Sequence, residues 1–205
     1  MGRTGRLYIL SAASGAGKTT LAKALADGMP NTRLSISHTT RPRRPGEREA
    51  GDYYFVDKAC FNAMIERDEF LEYAKVFDHM YGTSKSSVED CLAAGCNVVL
   101  DIDWQGARVV RNRMPDACGI FVMPPSRQVL EQRLRNRGQD SDAVITRRMR
   151  DAVNEMRHYE EYDYVVVNDD FEQALQNLKR IVSGLEPLPL PPTFRIDELV
   201  DPSGV

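Results

Sequence analysis

Two short stretches hold residue types whose spacing suits chemistry on phosphates. In SGAGKTT, residues 14–20, Gly15 and Gly17 let the backbone curl so that N–H groups face one anion, Lys18 adds a full positive charge, and Thr19 offers a hydroxyl to a divalent cation. In SHTTRPRRPGE, residues 37–47, Arg41, Arg43 and Arg44 fall within four positions. Planar guanidinium groups of this kind grip phosphate oxygens in pairs. A charge run by itself more often marks a solvated face. Here Ser37 and two threonines precede the run, and GDYYF follows it. The first stretch reads as the site of a nucleoside triphosphate, and the second as the site of a separate, local anion. The loop pattern GxxxxGK[ST] would place a glycine at position 12, where this chain has Ala12. With Gly15 and Gly17 retained, that departure is expected to perturb the turn only modestly.

The anion must be local because the chain as a whole is not basic: its 205 residues carry a formal net charge of −3. That balance argues against a nucleic-acid-binding face. Charged residues make up 28% and hydrophobic residues 42%, the balance of a folded globular chain. Cys60, Cys91, Cys96 and Cys118 form no CxxC pair, and His38, His79 and His158 lie far apart, so metal-ligand spacing is absent. The cysteines read as reduced thiols of a cytoplasmic protein. Apolar runs such as LYIL and IFVM are strand-sized, so neither a membrane span nor a signal peptide is expected.

The elements that must position these stretches follow from hydrophobic pattern. LYILSA at 7–12, NVVLDID at 97–103, GIFVM at 119–123 and YVVVN at 164–168 read as buried parallel strands. Helical stripes separate them: Leu21, Ala24 and Leu25 share a face, as do Ile145, Met149, Ala152, Val153 and Met156. Strands alternating with helices predict an α/β fold with a doubly wound parallel sheet. The phosphate loop then lies between the first strand and its helix. Asp101, at the end of an apolar strand, takes the place where an acidic residue approaches Mg²⁺ in phosphate-loop enzymes. Residues 38–82 interrupt the alternation with YYFV, the helical KACFNAMIERD and a second strand around FLEYAKVF, which predicts an inserted α+β lobe. RNRGQDSD at 135–142 reads as a flap, and EPLPLPPTFRIDELVDPSGV as an extended end. A contact between copies in a homo-oligomer is the alternative for that tail.

SISHTTRPRRPGEREAGDYYF, followed by EFLEYAKVFDHMYGTS and VVLDIDWQGA, resembles the guanylate kinase family over residues 6–184. The resemblance implies Mg²⁺-dependent transfer of the γ-phosphoryl group of ATP to GMP. It also implies a division into a P-loop core (1–37, 83–134 and 152–186), a GMP-binding lobe (38–82), a helical lid (135–151) and a proline-rich tail (187–205). Carried over by position, Ala12, Ala13, Ser14, Gly15, Ala16, Gly17, Lys18, Thr19 and Thr20 would cradle ATP, with Thr19 and Asp101 at the metal, directly or through water. Arg133, Arg137 and Arg148 would close over the ATP phosphates, and Asn168 would border the adenine. Ser37 and Thr83 would approach the guanine O6, while Glu72 and Asp103 would serve on the GMP side. Arg41, Arg44, Tyr53 and Tyr81 would hold the GMP phosphate, and Arg43 has no assignment. Lys18, Arg41, Arg137 and Arg148 would be the catalytic set.

The chemistry of the residues agrees with these placements. Guanine presents two N–H donors side by side, which an ionised Glu72 would accept together, whereas adenine presents an acceptor there. An unpaired buried charge costs several kcal/mol, enough to discriminate bases. Two readings compete with the kinase. One is a kinase for a different small phosphate acceptor, against which Ser37, Glu72 and Thr83 together argue. The other is a non-catalytic binding module, against which Lys18, Thr19 and the flap arginines argue.

Overall fold

The computed structural model describes residues 4–76, 78–136 and 141–201. Five strands form one wholly parallel sheet: β1 (Leu7–Ala12), β2 (Thr32–Leu34), β7 (Asn97–Asp101), β8 (Cys118–Met123) and β9 (Tyr164–Val167), in the order β2-β7-β1-β8-β9. The chain leaves the central β1 for one edge and later winds to the other. The loop after β1 therefore lies where the strand order reverses, the usual crevice for a ligand in such sheets.

Alternation along β1 divides its side chains between two cores. Tyr8 and Leu10 pack with Leu21 and Leu25 of α1 (Lys18–Gly28) and Leu178 of α7 (Phe171–Val182). Leu7 and Ile9 face the other way, toward Val88 of α3 (Lys85–Ala93) and Val110 of α4 (Trp104–Arg113). A third cluster joins Leu130 and Leu134 of α5 (Arg127–Asn136) to Ile145, Met149, Ala152, Val153 and Met156 of α6 (Asp142–Met156), the whole of the stripe predicted for that helix.

Between β2 and α3 the chain forms a second, mixed sheet, ordered β4-β3-β6-β5. Its strands are β3 (His38–Thr39), β4 (Tyr54–Phe55), β5 (Phe70–Val76) and β6 (His79–Ser84), with α2 (Lys58–Glu66) burying its own Phe61 and Met64 against Phe70. Gly82 in β6 is required by close approach: a Cβ there would lie 2.8 Å from the Phe70 ring.

The proline-rich end differs from the expected extended tail. Residues 196–200 form a short helix, α8 (Ile196–Val200), whose Leu199 is buried in the α5–α6 cluster. Arg127 donates to the Leu199 and Asp201 carbonyls, and Arg157 to that of Val200, so basic side chains satisfy carbonyls at the C-terminal end of α8.

Candidate functional site

The phosphate loop is shaped by backbone demands at two glycines, Gly15 with φ 95° and Gly17 with φ 93°. A Cβ at Gly17 would stand 2.4 Å from Asn168 Nδ2, so that position also needs the space. Ala12 still belongs to β1, in register with Val122, and is not among the non-glycine residues at positive φ. The glycine missing from the loop pattern is therefore not required by the backbone here. Ala13 and Ala16 turn their methyl groups inward and are buried, while Thr19 and Thr20 are exposed at the start of α1.

Lys18 lies beside Asp101, with Nζ 2.6 Å from Oδ1, and donates to the Ile102 carbonyl at 2.8 Å. These two residues, with Ser14, Thr19, Ser37, Tyr53, Glu72, Tyr81 and Asp103, line a cleft of about 360 Å³. The ends of β1 and β7 and the second sheet thus bring part of the expected ATP, metal and GMP residues to one place, while Arg41, Arg44, Thr83, Arg133 and Asn168 are not among the lining. A larger cleft of about 910 Å³ lies among Arg6, Arg111, Cys118 and Asp163 and holds none of the predicted site residues.

Glu72 is 4% exposed, and burial pushes its carboxyl up to about 7. Thr83 opposes that shift by donating its hydroxyl to Oε1 at 2.6 Å. Thr83 is fully buried and committed to Glu72, so its hydroxyl acts on the carboxylate instead of standing open at the cleft wall. Oε2 of Glu72 points toward the first turn of α4, where a Cβ on Gly106 would be 2.9 Å away. Asp103 caps that helix by accepting from the Gly106 amide at 2.9 Å, and accepts from Gln105 Nε2 with its other oxygen.

The arginine stretch separates into one buried and two exposed side chains. Arg41 is 8% exposed, pairs with Glu47 at 2.6 Å and lies 5.4 Å from the Tyr53 ring centroid. The Glu47 hydrogen bond raises its pKa further, so its charge is permanent. Tyr53 and Tyr81 meet edge to face at 6.0 Å. Arg43 and Arg44 are both exposed, which does not separate the expected phosphate ligand Arg44 from Arg43.

Arg148 of α6 donates to Ser14 Oγ at 3.2 Å. Arg133 of α5 donates Nη2 to the Asn168 carbonyl, while its Nη1 is buried with no partner, a donor aimed at no protein acceptor. Arg137 lies outside the described residues. Asn168 is 6% exposed, and its side-chain amide donates to the Ala16 carbonyl at 2.7 Å. It braces the phosphate loop from beneath, a role the adenine-contact expectation did not include.

One residue escaped the sequence reading. Glu155 of α6 accepts the Ser14 backbone N–H at 2.8 Å, and burial raises its pKa against the pull of that amide and of Lys18. Its spacing of seven from Arg148 places both on one helical face, which was the available signal. Just beyond the same helix, His158 stacks on Trp104 with ring centroids 3.8 Å apart, tying the start of α4 to the end of α6.

Comparisons with known proteins agree with this geometry. A family model described as guanylate kinase matches residues 4–185. The chain is 61% identical over 178 residues to guanylate kinase of Methylococcus capsulatus, covering 87% of each chain. It is 54% identical over 197 residues to that of Nitrosococcus oceani, covering 96% of this chain and 97% of the other. Among solved structures, guanylate kinase from Anaplasma phagocytophilum superposes with a TM-score of 0.74 at 34% identity, covering 90% of this chain and 87% of that one.

Proposed function

The chain belongs to the guanylate kinase family and has guanylate kinase activity (EC 2.7.4.8), and from that premise we propose how its residues divide the work of moving the γ-phosphoryl group of ATP to GMP. The observation that carries the proposal is the buried Glu72 carboxylate, lining the same cleft as Lys18. A charge kept out of water at that cost is suited to a ligand with paired N–H donors, which guanine has and adenine lacks.

The phosphate of GMP is largely ionised near neutral pH and needs no general base. The obstacle to reaction is the approach of two polyanions. Lys18 and the loop amides neutralise the ATP phosphates, and Arg41, with Tyr53 and Tyr81, holds the acceptor phosphate in line. Arg44 and Ser37 complete the acceptor side. Arg133 and Arg148 enter from the lid, where they exclude water and add charge around the transferring group. In this reading residues 38–82 form the acceptor lobe and 135–151 the lid.

The donor set fits a magnesium ion. Among the described residues no three His, Cys, Asp or Glu side chains gather as a cage. Thr19 and Asp101 line the cleft beside Lys18, which suits an ion held by one or two protein oxygens, water and phosphates. When bound with ATP, Mg²⁺ supplies further neutralisation of the phosphate charge.

Coupling ADP formation to a spectroscopic readout, with ATP–Mg²⁺ and each of GMP, AMP, CMP and UMP, tests the reading. Turnover with GMP exceeding the others by at least a hundredfold is expected; equal rates with AMP, or none with GMP, would overturn it.

A further inference from the structure

Glu155 is an anion placed against a loop built to receive anions. The Ser14 amide and Lys18 favour its charge there, but the same charge would oppose an arriving phosphate, so its presence calls for a geometric reason. The loop amides supply one. Among the described residues, the Ser14 amide is taken by Glu155 and the Ala16 amide by the Ala13 carbonyl, whereas the amides of Gly15 and Gly17 have no protein acceptor. Bonded and unbonded N–H groups thus alternate along the turn. The two left over belong to the residues at positive φ, the arrangement that forms an anion-binding concavity.

We infer that Glu155 is a positioning residue: by holding the Ser14 amide, it sets the phosphate loop so that Gly15 and Gly17 present their N–H groups before a nucleotide arrives. This rests on the reading of the loop as the ATP site. Glycines make the turn attainable but also leave it free to leave that shape. The loop is therefore held from two directions, by Asn168 on the Ala16 carbonyl and by Glu155 on Ser14. Packing of α6 does not require the carboxylate, since Ile145, Met149, Ala152, Val153 and Met156 supply that contact. Pre-setting a loop removes its ordering cost from the binding step.

Calorimetric titration of the full chain with ADP–Mg²⁺ and, separately, with GMP tests this, alongside thermal melting of each variant. Glu155→Ala is expected to weaken ADP about tenfold, the loss of one charge-assisted hydrogen bond, with GMP affinity within twofold of the parent. Glu155→Gln keeps an oxygen acceptor at the same reach and should restore ADP binding to within threefold. Glu155→Asp withdraws the carboxylate by one methylene and should weaken ADP as Glu155→Ala does, so the test survives if the alanine variant fails to melt cooperatively. Unchanged ADP affinity in Glu155→Asp or Glu155→Ala, or a Glu155→Gln as weak as Glu155→Ala, overturns the inference. A parent protein that binds GMP but not ADP would instead overturn the reading of the loop.

Discussion

Thr83 and Glu72 face each other across β6 and β5, and the Thr83 hydroxyl donates to Glu72 Oε1 at 2.6 Å, both side chains being closed off from solvent. The contact orients the carboxylate and holds down a pKa that burial alone would raise higher. If Glu72 reads the base as proposed, base selection is a property of this pair.

Glu72→Gln replaces an acceptor-only group with one whose NH₂ would meet a guanine N–H. The variant should lose about a hundredfold or more in kcat/KM for GMP, with the KM for ATP changed less than threefold. Steady-state kinetics with GMP and AMP check it; unchanged selectivity for GMP would remove Glu72 as the base reader.

The pH dependence follows from the same carboxyl, which burial raises from 4.5 to about 7. Protonated Glu72 cannot accept two N–H groups, so the KM for GMP should rise up to about tenfold per pH unit below 7 and level off above it. Stability runs oppositely. A raised carboxyl pKa favours the fold below 4.5, and that contribution of roughly 3 kcal/mol is lost as pH climbs through 7. Glu155, also raised, adds a loss of the same sign, whereas Glu161, lowered to about 2 by Arg108, has made its contribution before pH 5. His38, whose pKa burial lowers, gains stability over the same window, so the loss is read by comparison: between pH 5 and 7.5 the ligand-free melting temperature of the parent should drop relative to that of Glu72→Gln, while the increment produced by GMP grows.

Gly106→Ala puts a methyl 2.9 Å from Glu72 Oε2, inside van der Waals contact. The carboxylate must move, and the KM for GMP should rise about tenfold while that for ATP holds. An unaltered KM for GMP would show that Glu72 has room to adjust.

Leu199→Ala removes a side chain that is 1% exposed from the tail helix where it meets α5 and α6. A loss of about 2 kcal/mol is expected, read as a lower melting temperature or urea midpoint. A change below 0.5 kcal/mol would mean that the tail does not stay docked in solution.

The core strands and the α6 stripe were legible because their apolar runs are long and their periods clean. β3 and β4 have only two residues each, and β6 reads HMYGTS, whose buried half is Gly82, Thr83 and Ser84, small and polar. β3 and β6 give no hydrophobic signal, whereas β4 falls within the YYFV run. The cleft was legible through SGAGKTT and SHTTRPRRPGE, since backbone chemistry and charge reside in the local chain. The supports were not. Glu155 reaches Ser14 across 141 positions and Asn168 reaches Ala16 across 152, contacts that exist only once the sheet has brought strands and helices together.

The stack of Trp104 on His158 has a practical consequence, because it holds the chain's one tryptophan. That indole begins α4 next to Asp103, with the Arg108 guanidinium 4.6 Å from its ring centroid. The molecule thus carries an intrinsic fluorophore at the seam where the start of α4 meets the segment that follows α6. Stopped-flow emission from the unlabelled protein would follow that seam in real time, separating a GMP-dependent phase from a nucleotide-dependent one.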